Sequence, residues 1–244
     1  MTEPRERPIL FSAPMVRALL DGRKTMTRRV VKGVPGAVEG HFYYPAIGVA
    51  LFKRKDGRES LPVPCPFGVP GDRLWVKESL KRDFLPHLLT GEPQLSCPRV
   101  TYAADGAPAL LPGEFDTVWP WKRPVLPSIH CPRWASRLTL EVTDVRVERL
   151  QDISEEDARA EGVRPSDAAV VFQGCGHWHD SMDEALVCHA TTRRPDMENA
   201  ARGAFAILWD SLNASRGFAW ATNPWVWALT VSLVTPGEEA KPCA

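Results

Sequence analysis

The sequence predicts a mixed α+β protein that is built mostly from strands, with short helices at its edges. Apolar and polar residues alternate along residues 137–150, the pattern of a half-buried strand. The other strand-like segments are short and are separated by turns rich in glycine and proline. Helical patterns are confined to three segments, at 12–22, 154–162 and 199–213.

The N-terminal elements are predicted to be a strand, a helix and a second strand. The segment PILFS is apolar and extended, Ser12 is suited to cap the helix, Pro14 suits the first helical turn, and Gly22 ends it. The following segment TMTRRVV is rich in strand formers. The basic turn at 22–29 is therefore expected to connect the helix to a strand.

The middle of the chain is predicted to be largely irregular. Residues 31–72 are rich in glycine and proline and are interpreted as a long excursion that closes before a strand at 73–80. Residues 81–136 are interpreted as mostly loop with one weak strand. The alternation along 137–150 resets at Asp144, which predicts a bulge or bend in a long strand.

The C-terminal part contains the best marked helix. Ser154 is predicted as its N-cap, Asp157 as the capping partner three residues on, and Gly162 as its end. A second helix at 199–213 carries apolar residues on one face, and a last strand follows at 225–234.

One domain is predicted, because the sequence shows neither a repeat nor a linker. Its bounds are 8–234, with insertions at about 31–70, 81–136 and 164–198 and a disordered tail at 235–244.

The amino-acid composition excludes some classes of function. Among 244 residues, 30 Lys and Arg balance 30 Asp and Glu, so any attraction to nucleic acid must come from a local patch. This argues against a general nucleic-acid coat protein. The N-terminal residues contain no apolar segment of signal-peptide length, and no run of about 18 apolar residues occurs, so we expect a cytoplasmic protein with no membrane partner. The six scattered cysteines are expected to be reduced thiols.

The order of five motifs resembles the ASCH domain of the PUA-like superfamily. The motifs are LLDGRKTMTRR, GDRLWVKE, LEVTDVRVERLQDISEEDARAEGV, FAILWDSLN and NPWVWALTVSLV. The resemblance covers roughly 8–163 and 199–234 and is closer to the longer ASCH-like proteins of bacteriophages and prophages. It implies a PUA-like small mixed β-barrel with short peripheral helices and long loop insertions, in a bacterial or phage-infected cell.

The resemblance also implies an activity. Small bacterial ASCH amidohydrolases cleave the acyl amide of N4-acetylcytidine, and their proposed triad is a Lys and a Thr three residues apart plus a Glu near the end of a later helix. The matching positions here are Lys24, Thr27 and Glu161. This chain is more than twice as long as those enzymes, and it carries Arg28 and Arg29 where they differ. The implied function is removal of the acyl group from an N4-acylated cytosine nucleoside or a related modified base.

Amide hydrolysis requires an activated nucleophile, a site for the oxyanion and a proton for the leaving amine. Thr27 offers a hydroxyl, and Lys24 becomes a usable base where burial or neighbouring cations lower its pKa. Glu161 then orients the lysine or moves its proton. In the alternative, Glu161 keeps Lys24 charged, Lys24 polarises the acyl oxygen, and a water attacks. The sequence leaves both mechanisms open.

Cations and aromatic residues form the predicted substrate-binding set. Its members are Arg23, Arg28, Arg29, Trp75, Glu78, His130, Arg133 and Trp134. An arginine beside an aromatic ring suits stacking on a base and holding phosphate. Without catalysis, the same residues would bind RNA, single-stranded or modified nucleic acid, and a phage structural module is the third alternative. The plainer interpretations are a solvated basic turn, a buried Trp134 and a solvated Glu78.

An inserted segment collects zinc-ligand residue types. They are Cys175, His177, His179, Cys188 and His189. Their spacing fits no standard C-x-x-C pairing, so a mobile polar loop is the plainer interpretation of these residues. We assign no metal and no cofactor, and the oligomeric state is left open.

Overall fold

The computed structural model describes residues 4–34, 38–54, 62–86, 93–110, 123–163 and 200–234. Its strands and helices, in chain order, are β1 (Glu6–Leu10), α1 (Ala13–Leu20), β2 (Met26–Val30), β3 (Val38–Tyr44), β4 (Val49–Arg54), β5 (Val63–Pro64), β6 (Arg73–Lys77), β7 (Leu80–Pro86), β8 (Pro93–Tyr102), β9 (Pro108–Leu110), β10 (Val125–Leu126), β11 (Thr139–Arg149), α2 (Glu155–Ala160), α3 (Ala200–Asn213) and β12 (Trp225–Val234).

The mixed α+β class is confirmed, since strands dominate and the helices are few and short. Within the described residues, no sheet closes into a barrel. The chain divides into two compact units. Unit one comprises the described residues of Met1–Leu20, Asp72–Glu141 and Leu233–Ala244, and unit two those of Asp21–Gly71 and Val142–Ser232. The single domain over 8–234 stays a prediction.

Unit one holds two sets of paired strands. β1 runs parallel to β6, with Glu6 opposite Arg73, and β6 is antiparallel to the first residues of β11. A four-stranded sheet has the order β10–β7–β8–β9. Its apolar residues, Leu80, Val100 and Leu126 among them, form a buried cluster. The prediction of mostly loop at 81–136 was therefore wrong, because cross-strand partners complete strands whose own patterns are weak.

Unit two contains a three-stranded sheet in the order β3–β4–β5. β3 and β4 form a hairpin in which Tyr44 pairs with Val49, and Gly48 in the turn has φ +63°. The rings of His41 and Phe52 contact the Trp225 ring, with centroids 4.7 and 5.5 Å away. The irregular excursion predicted for 31–72 was thus wrong, since aromatic packing stabilises strands there despite the glycines and prolines.

The long strand and the two C-terminal helices of unit two agree with the sequence. In β11 the buried positions pass from Leu140 and Val142 to Val145 and Val147, which confirms the phase break at Asp144. β12 pairs antiparallel with β2. The side chains packed between α2, α3 and β12 form one apolar cluster, comprising Leu150, Ile153, Ala158, Ala201, Phe205, Trp209 and Val226.

The predicted capping of α2 is confirmed. The Ser154 hydroxyl oxygen accepts a hydrogen bond from Asp157 N at 3.0 Å, which satisfies one of the free amides of the first turn. Gly162 follows the helix with φ +87°, a conformation that glycine adopts without strain. The helix therefore ends where the local sequence predicts, and Glu161 is its C-terminal cap.

None of the described helices is both long enough and apolar enough to span a membrane. Cys65 and Cys131 are buried, and neither forms a disulfide bond. The predicted disordered tail lies outside the described residues.

Candidate functional site

The end of α2 is joined to the start of β2 through the backbone. Lys24 and Glu161 form an isolated antiparallel bridge, and Thr25 N donates a hydrogen bond to Ala160 O at 2.8 Å. The Gly22 turn before β2 and the Gly162 turn after α2 allow the two segments to meet. The fold thus brings together two predicted catalytic residues that are 137 positions apart.

The Lys24 ammonium is surrounded by acceptors. Its Nζ donates to Glu161 Oε2 at 2.8 Å, to the Glu161 carbonyl oxygen at 3.0 Å and to the Met26 carbonyl oxygen at 2.7 Å. An ammonium has three N–H groups and a neutral amine has two, so three acceptors fit the protonated form. The lysine of the resting site is therefore a cation.

Burial makes that proton easier to lose. Desolvation lowers the pKa of Lys24 below its ordinary value, and the Glu161 carboxylate opposes the shift by charge and hydrogen bonding. The positive charges of Arg29 and Arg28 lower the pKa further. Lys24 accordingly gives up its proton more readily than a surface lysine does.

Thr27 lies within β2, buried and opposite Leu229 of β12. Strand alternation places Thr27 with Arg29 on one face and Met26 with Arg28 on the other. Within the described part of the chain, no hydrogen bond joins Thr27 to Lys24 or Glu161. Proton transfer from Thr27 to Lys24 would therefore need a bridging water or a change of lysine rotamer.

Arg28 is wholly buried and faces carboxylates, which the sequence did not predict. Its Nε and Nη2 donate to Glu148 Oε1 at 2.9 and 2.6 Å, and Nη2 also donates to Asp157 Oδ2 at 2.6 Å. Its Nη1 lies 3.4 Å from Glu161 Oε1. In this arrangement the guanidinium is directed into the protein, away from any phosphate at the surface.

Arg146 completes this group, which we call the Arg28 cluster and which comprises Arg28, Arg146, Glu148, Asp157 and Glu161. The Arg146 Nη2 donates to Asp157 Oδ2 at 2.7 Å, and Nη1 is 3.6 Å from Glu148 Oε2. Burial alone would raise the pKa of Asp157, but hydrogen bonds from Arg146 and Arg28 hold it below its ordinary value. The Asp157 carboxylate is thus stabilised in its charged form.

The other predicted cations of the turn also lie in unit two. Arg23 is half-buried and donates to the Gly162 carbonyl oxygen at 2.6 Å and to Asp21 at 3.0 Å. Burial lowers the pKa of Arg29, the charge of Glu161 opposes that shift, and the charge of Arg216 adds to it. Arg29 therefore shares the electrostatic environment of Glu161.

The remaining predicted binding residues belong to unit one. Two cations lie over the ring of Trp75, Lys77 Nζ at 5.5 Å and Arg133 Cζ at 5.7 Å from its centroid, and we call these three residues the Trp75 cluster. Trp134 is 51% exposed and His130 is exposed, so Trp134 is not the buried core residue of the plainer interpretation. These side chains present aromatic and cationic groups to solvent.

Glu78 is buried rather than solvated, so the plainer expectation for it was wrong. Arg137 makes two hydrogen bonds with its carboxylate, at 2.9 and 3.0 Å, and also pairs with Asp105 at 2.9 Å. The Arg137 guanidinium lies over the Tyr102 ring, 3.8 Å from the centroid. Burial raises the pKa of Glu78, and Arg137 opposes the shift.

A groove of about 400 Å³ opens in unit two beyond the end of β2. Its lining residues are Val31, Lys32, Gly33, Val34, Phe218, Pro224 and Trp225. Lys24, Thr27 and Glu161 are not among them, so we do not assign this groove to the candidate site.

Sequence reasoning missed Arg146 and Glu148. Each sits in an alternating strand pattern or beside one, where a charged residue is expected to face solvent. The only local signal was Asp157, which the sequence marks as a capping residue.

Among the described residues, no group of three or more His, Cys, Asp or Glu side chains is arranged to hold a metal ion. The cysteines and histidines considered for zinc at 175–189 lie outside the described residues. Scans of the chain against family models, curated proteins and solved structures find no match.

Proposed function

We propose that the protein is an amidohydrolase that removes the acyl group from an N4-acylated cytosine nucleoside or a related modified base. The observation that carries the proposal is the contact of 2.8 Å between Lys24 Nζ and Glu161 Oε2. These residues are the ones that the ASCH resemblance singles out. The same resemblance is the basis for proposing that the fold is of the PUA-like type.

The chemistry follows from the resting geometry. Glu161 accepts a proton from a nucleophilic water, or from the Thr27 hydroxyl through a bridging water, as the nucleophilic oxygen adds to the acyl carbon. Lys24 releases one of its two backbone acceptors and donates the freed N–H to the developing oxyanion. The C–N bond then breaks, and the proton passes to the leaving N4 amine. With Thr27 as nucleophile, a water hydrolyses the resulting ester in a second step.

The test is hydrolysis of N4-acetylcytidine and other N4-acylated cytidines by the purified protein. We expect release of cytidine, and we expect Lys24→Ala and Glu161→Ala to reduce kcat by roughly 100-fold or more, the usual contribution of a proton-transfer group. Thr27→Ala separates the two nucleophiles, because it abolishes turnover only if Thr27 attacks. Lys53→Ala, which removes an exposed lysine of β4, is the matched control. If the protein releases cytidine from none of the substrates in the panel, the proposal is wrong.

A second candidate is a non-catalytic reader of RNA or modified nucleic acid, and the Trp75 cluster favours it. An aromatic ring in contact with two cations, together with the exposed Trp134 that follows Arg133 in the chain, suits stacking on a base and neutralising phosphate. Fluorescence anisotropy with single-stranded RNA at low salt tests it. Trp75→Ala and Arg133→Ala should weaken binding, whereas Arg159→Ala, an exposed arginine of α2 in unit two, should not. No binding at low salt would exclude this candidate.

A further inference from the structure

Each oxygen of the Glu161 carboxylate faces a different cation. Oε2 accepts from Lys24 Nζ at 2.8 Å, and Oε1 lies 3.4 Å from Arg28 Nη1. A carboxylate rotates broadly about its terminal bond when nothing holds it. Two cations on opposite oxygens restrict that rotation and leave Oε2 directed at the lysine.

Arg28 is itself held firmly enough to act as such a restraint. Its side chain has no exposed surface, and Glu148 and Asp157 accept three hydrogen bonds from its Nε and Nη2 atoms. Asp157 and Glu161 are four residues apart, so one guanidinium contacts both the first turn and the C-terminal cap of α2. Arg28 therefore fixes α2 to β2 as well as facing Glu161.

We propose that Arg28 is a positioning residue that sets the orientation of the Glu161 carboxylate toward Lys24. A role of Arg28 in catalysis rests on the proposed amidohydrolase function. The effect of Arg28 on the titration of Lys24 can be measured without any substrate. Arg28 does not contact the reacting atoms in this scheme, and it acts through Glu161.

The charges around Lys24 give the proposal a measurable consequence. The groups that face Lys24 are Glu161 from the end of α2 and Arg28 and Arg29 from β2. Three cations, Lys24, Arg28 and Arg146, balance three carboxylates, Glu148, Asp157 and Glu161. Removal of Arg28 takes away one of the positive charges that lower the pKa of Lys24 and leaves an excess of negative charge beside it. The lysine should then hold its proton more tightly.

The experiment is an NMR titration of the full-length protein labelled with ¹³C at lysine Cε, with the Lys24 signal assigned through Lys24→Arg. We expect Arg28→Met to move the Lys24 titration upward by about 1 pH unit, the usual effect of one nearby charge. Arg146→Met is the matched control, because Arg146 contacts Asp157 and Glu148 but not Glu161. An Arg28→Met titration that coincides with wild type would overturn the proposal, as would an equal shift in Arg146→Met.

Arg28→Met leaves buried carboxylates without a partner, so the double variant Arg28→Met/Glu148→Gln, which restores the charge balance, is measured as well. It should keep the fold, and its Lys24 titration should stay raised, because Arg28 faces Lys24 whereas Glu148 is not among the groups that do. If N4-acetylcytidine is hydrolysed, Arg28→Lys should restore the Lys24 titration but not kcat, because an ammonium lacks the guanidinium fork. Full recovery of kcat in Arg28→Lys would contradict the positioning role. Absence of hydrolysis by wild type would refute the amidohydrolase function alone, since the titration decides the role of Arg28 independently.

Discussion

Lys24 and Glu161 form an ion pair that is almost out of contact with water, with side chains 1% and 4% exposed. Removing two charges from water is costly, and a well-packed apolar pair of similar volume is often as stable or more so. The pair is not needed to join α2 to β2, because the Thr25 N to Ala160 O hydrogen bond already does so. The proposed chemistry would account for these buried charges, which stability alone does not.

Mutation of Lys24 and Glu161 should change the free energy of unfolding in a coupled way. Lys24→Met or Glu161→Gln alone should lower the free energy of unfolding by about 3 kcal/mol, because each change leaves a buried charged group without its partner. Lys24→Met/Glu161→Gln together should unfold within about 1 kcal/mol of wild type, while remaining inactive. Urea unfolding of the four proteins measures the coupling. A double variant as unstable as the sum of its single variants would show that the two residues do not interact.

Asp157 gives a pH-dependent prediction. Despite burial, Arg146 and Arg28 hold its folded-state pKa below the unfolded value of 3.8. The unfolded state therefore binds the proton first, so the contribution of Asp157 is complete above pH 3.8 and is lost as the pH falls through the folded-state pKa. Wild type should lose this component of its stability as the pH falls below 3.8 toward the folded-state pKa of Asp157. In Asp157→Asn that component should be absent, whereas the exposed Asp152→Asn should behave as wild type in urea unfolding at each pH.

Some secondary-structure elements could be predicted from the sequence and others could not. The boundaries of α2 were predictable because Ser154, Asp157 and Gly162 act within one short segment. The strands β3 to β5 and β7 to β10 were not, because their stability depends on partners along the sheet and on packing of aromatic residues such as Phe52. Lys24 and Glu161 were identified as a pair only by resemblance. Glu148 was missed, because its pattern in β11 is that of a solvent-facing strand residue.

The Glu155 carboxylate of α2 contacts the N-terminus of α3. The Glu155 oxygens accept hydrogen bonds from Ala201 N at 2.9 Å and Arg202 N at 3.0 Å, in the first turn of α3. Helix N-termini carry unpaired amides and a partial positive charge, so this carboxylate serves α3 as a cap.

Glu155→Ala should therefore lower the free energy of unfolding by about 1 to 2 kcal/mol, the usual cost of losing a cap. Glu156→Ala is a close control, since the neighbouring Glu156 is exposed in the same first turn of α2. Chemical denaturation followed by tryptophan fluorescence measures both, as Trp209 of α3 belongs to the affected apolar cluster. Equal losses in the two variants would show that Glu155 is not a cap.

At the scale of the whole molecule, charge is balanced in total and within the Arg28 cluster taken together with Lys24. The formal net charge is +0, and the Arg28 cluster together with Lys24 contains as many cations as carboxylates. In unit one, the single cation Arg137 faces two carboxyl groups, those of Glu78 and Asp105. A molecule arranged in this way exerts little long-range attraction on either sign of charge. Its preference between substrates must therefore depend on short-range contacts.

The two candidate functions then differ in their response to salt. N4-acetylcytidine is uncharged, so kcat/KM for its hydrolysis should change by less than about twofold between 50 and 300 mM KCl. A nucleic-acid reader would release counterions from each phosphate it contacts, and its affinity would fall steeply over the same range. Measuring both quantities on one preparation, with Arg133→Ala as the variant that should flatten only the RNA response, separates the candidates. A steep salt dependence of nucleoside hydrolysis would contradict the amidohydrolase proposal for an uncharged nucleoside and would indicate a phosphorylated or polymeric substrate.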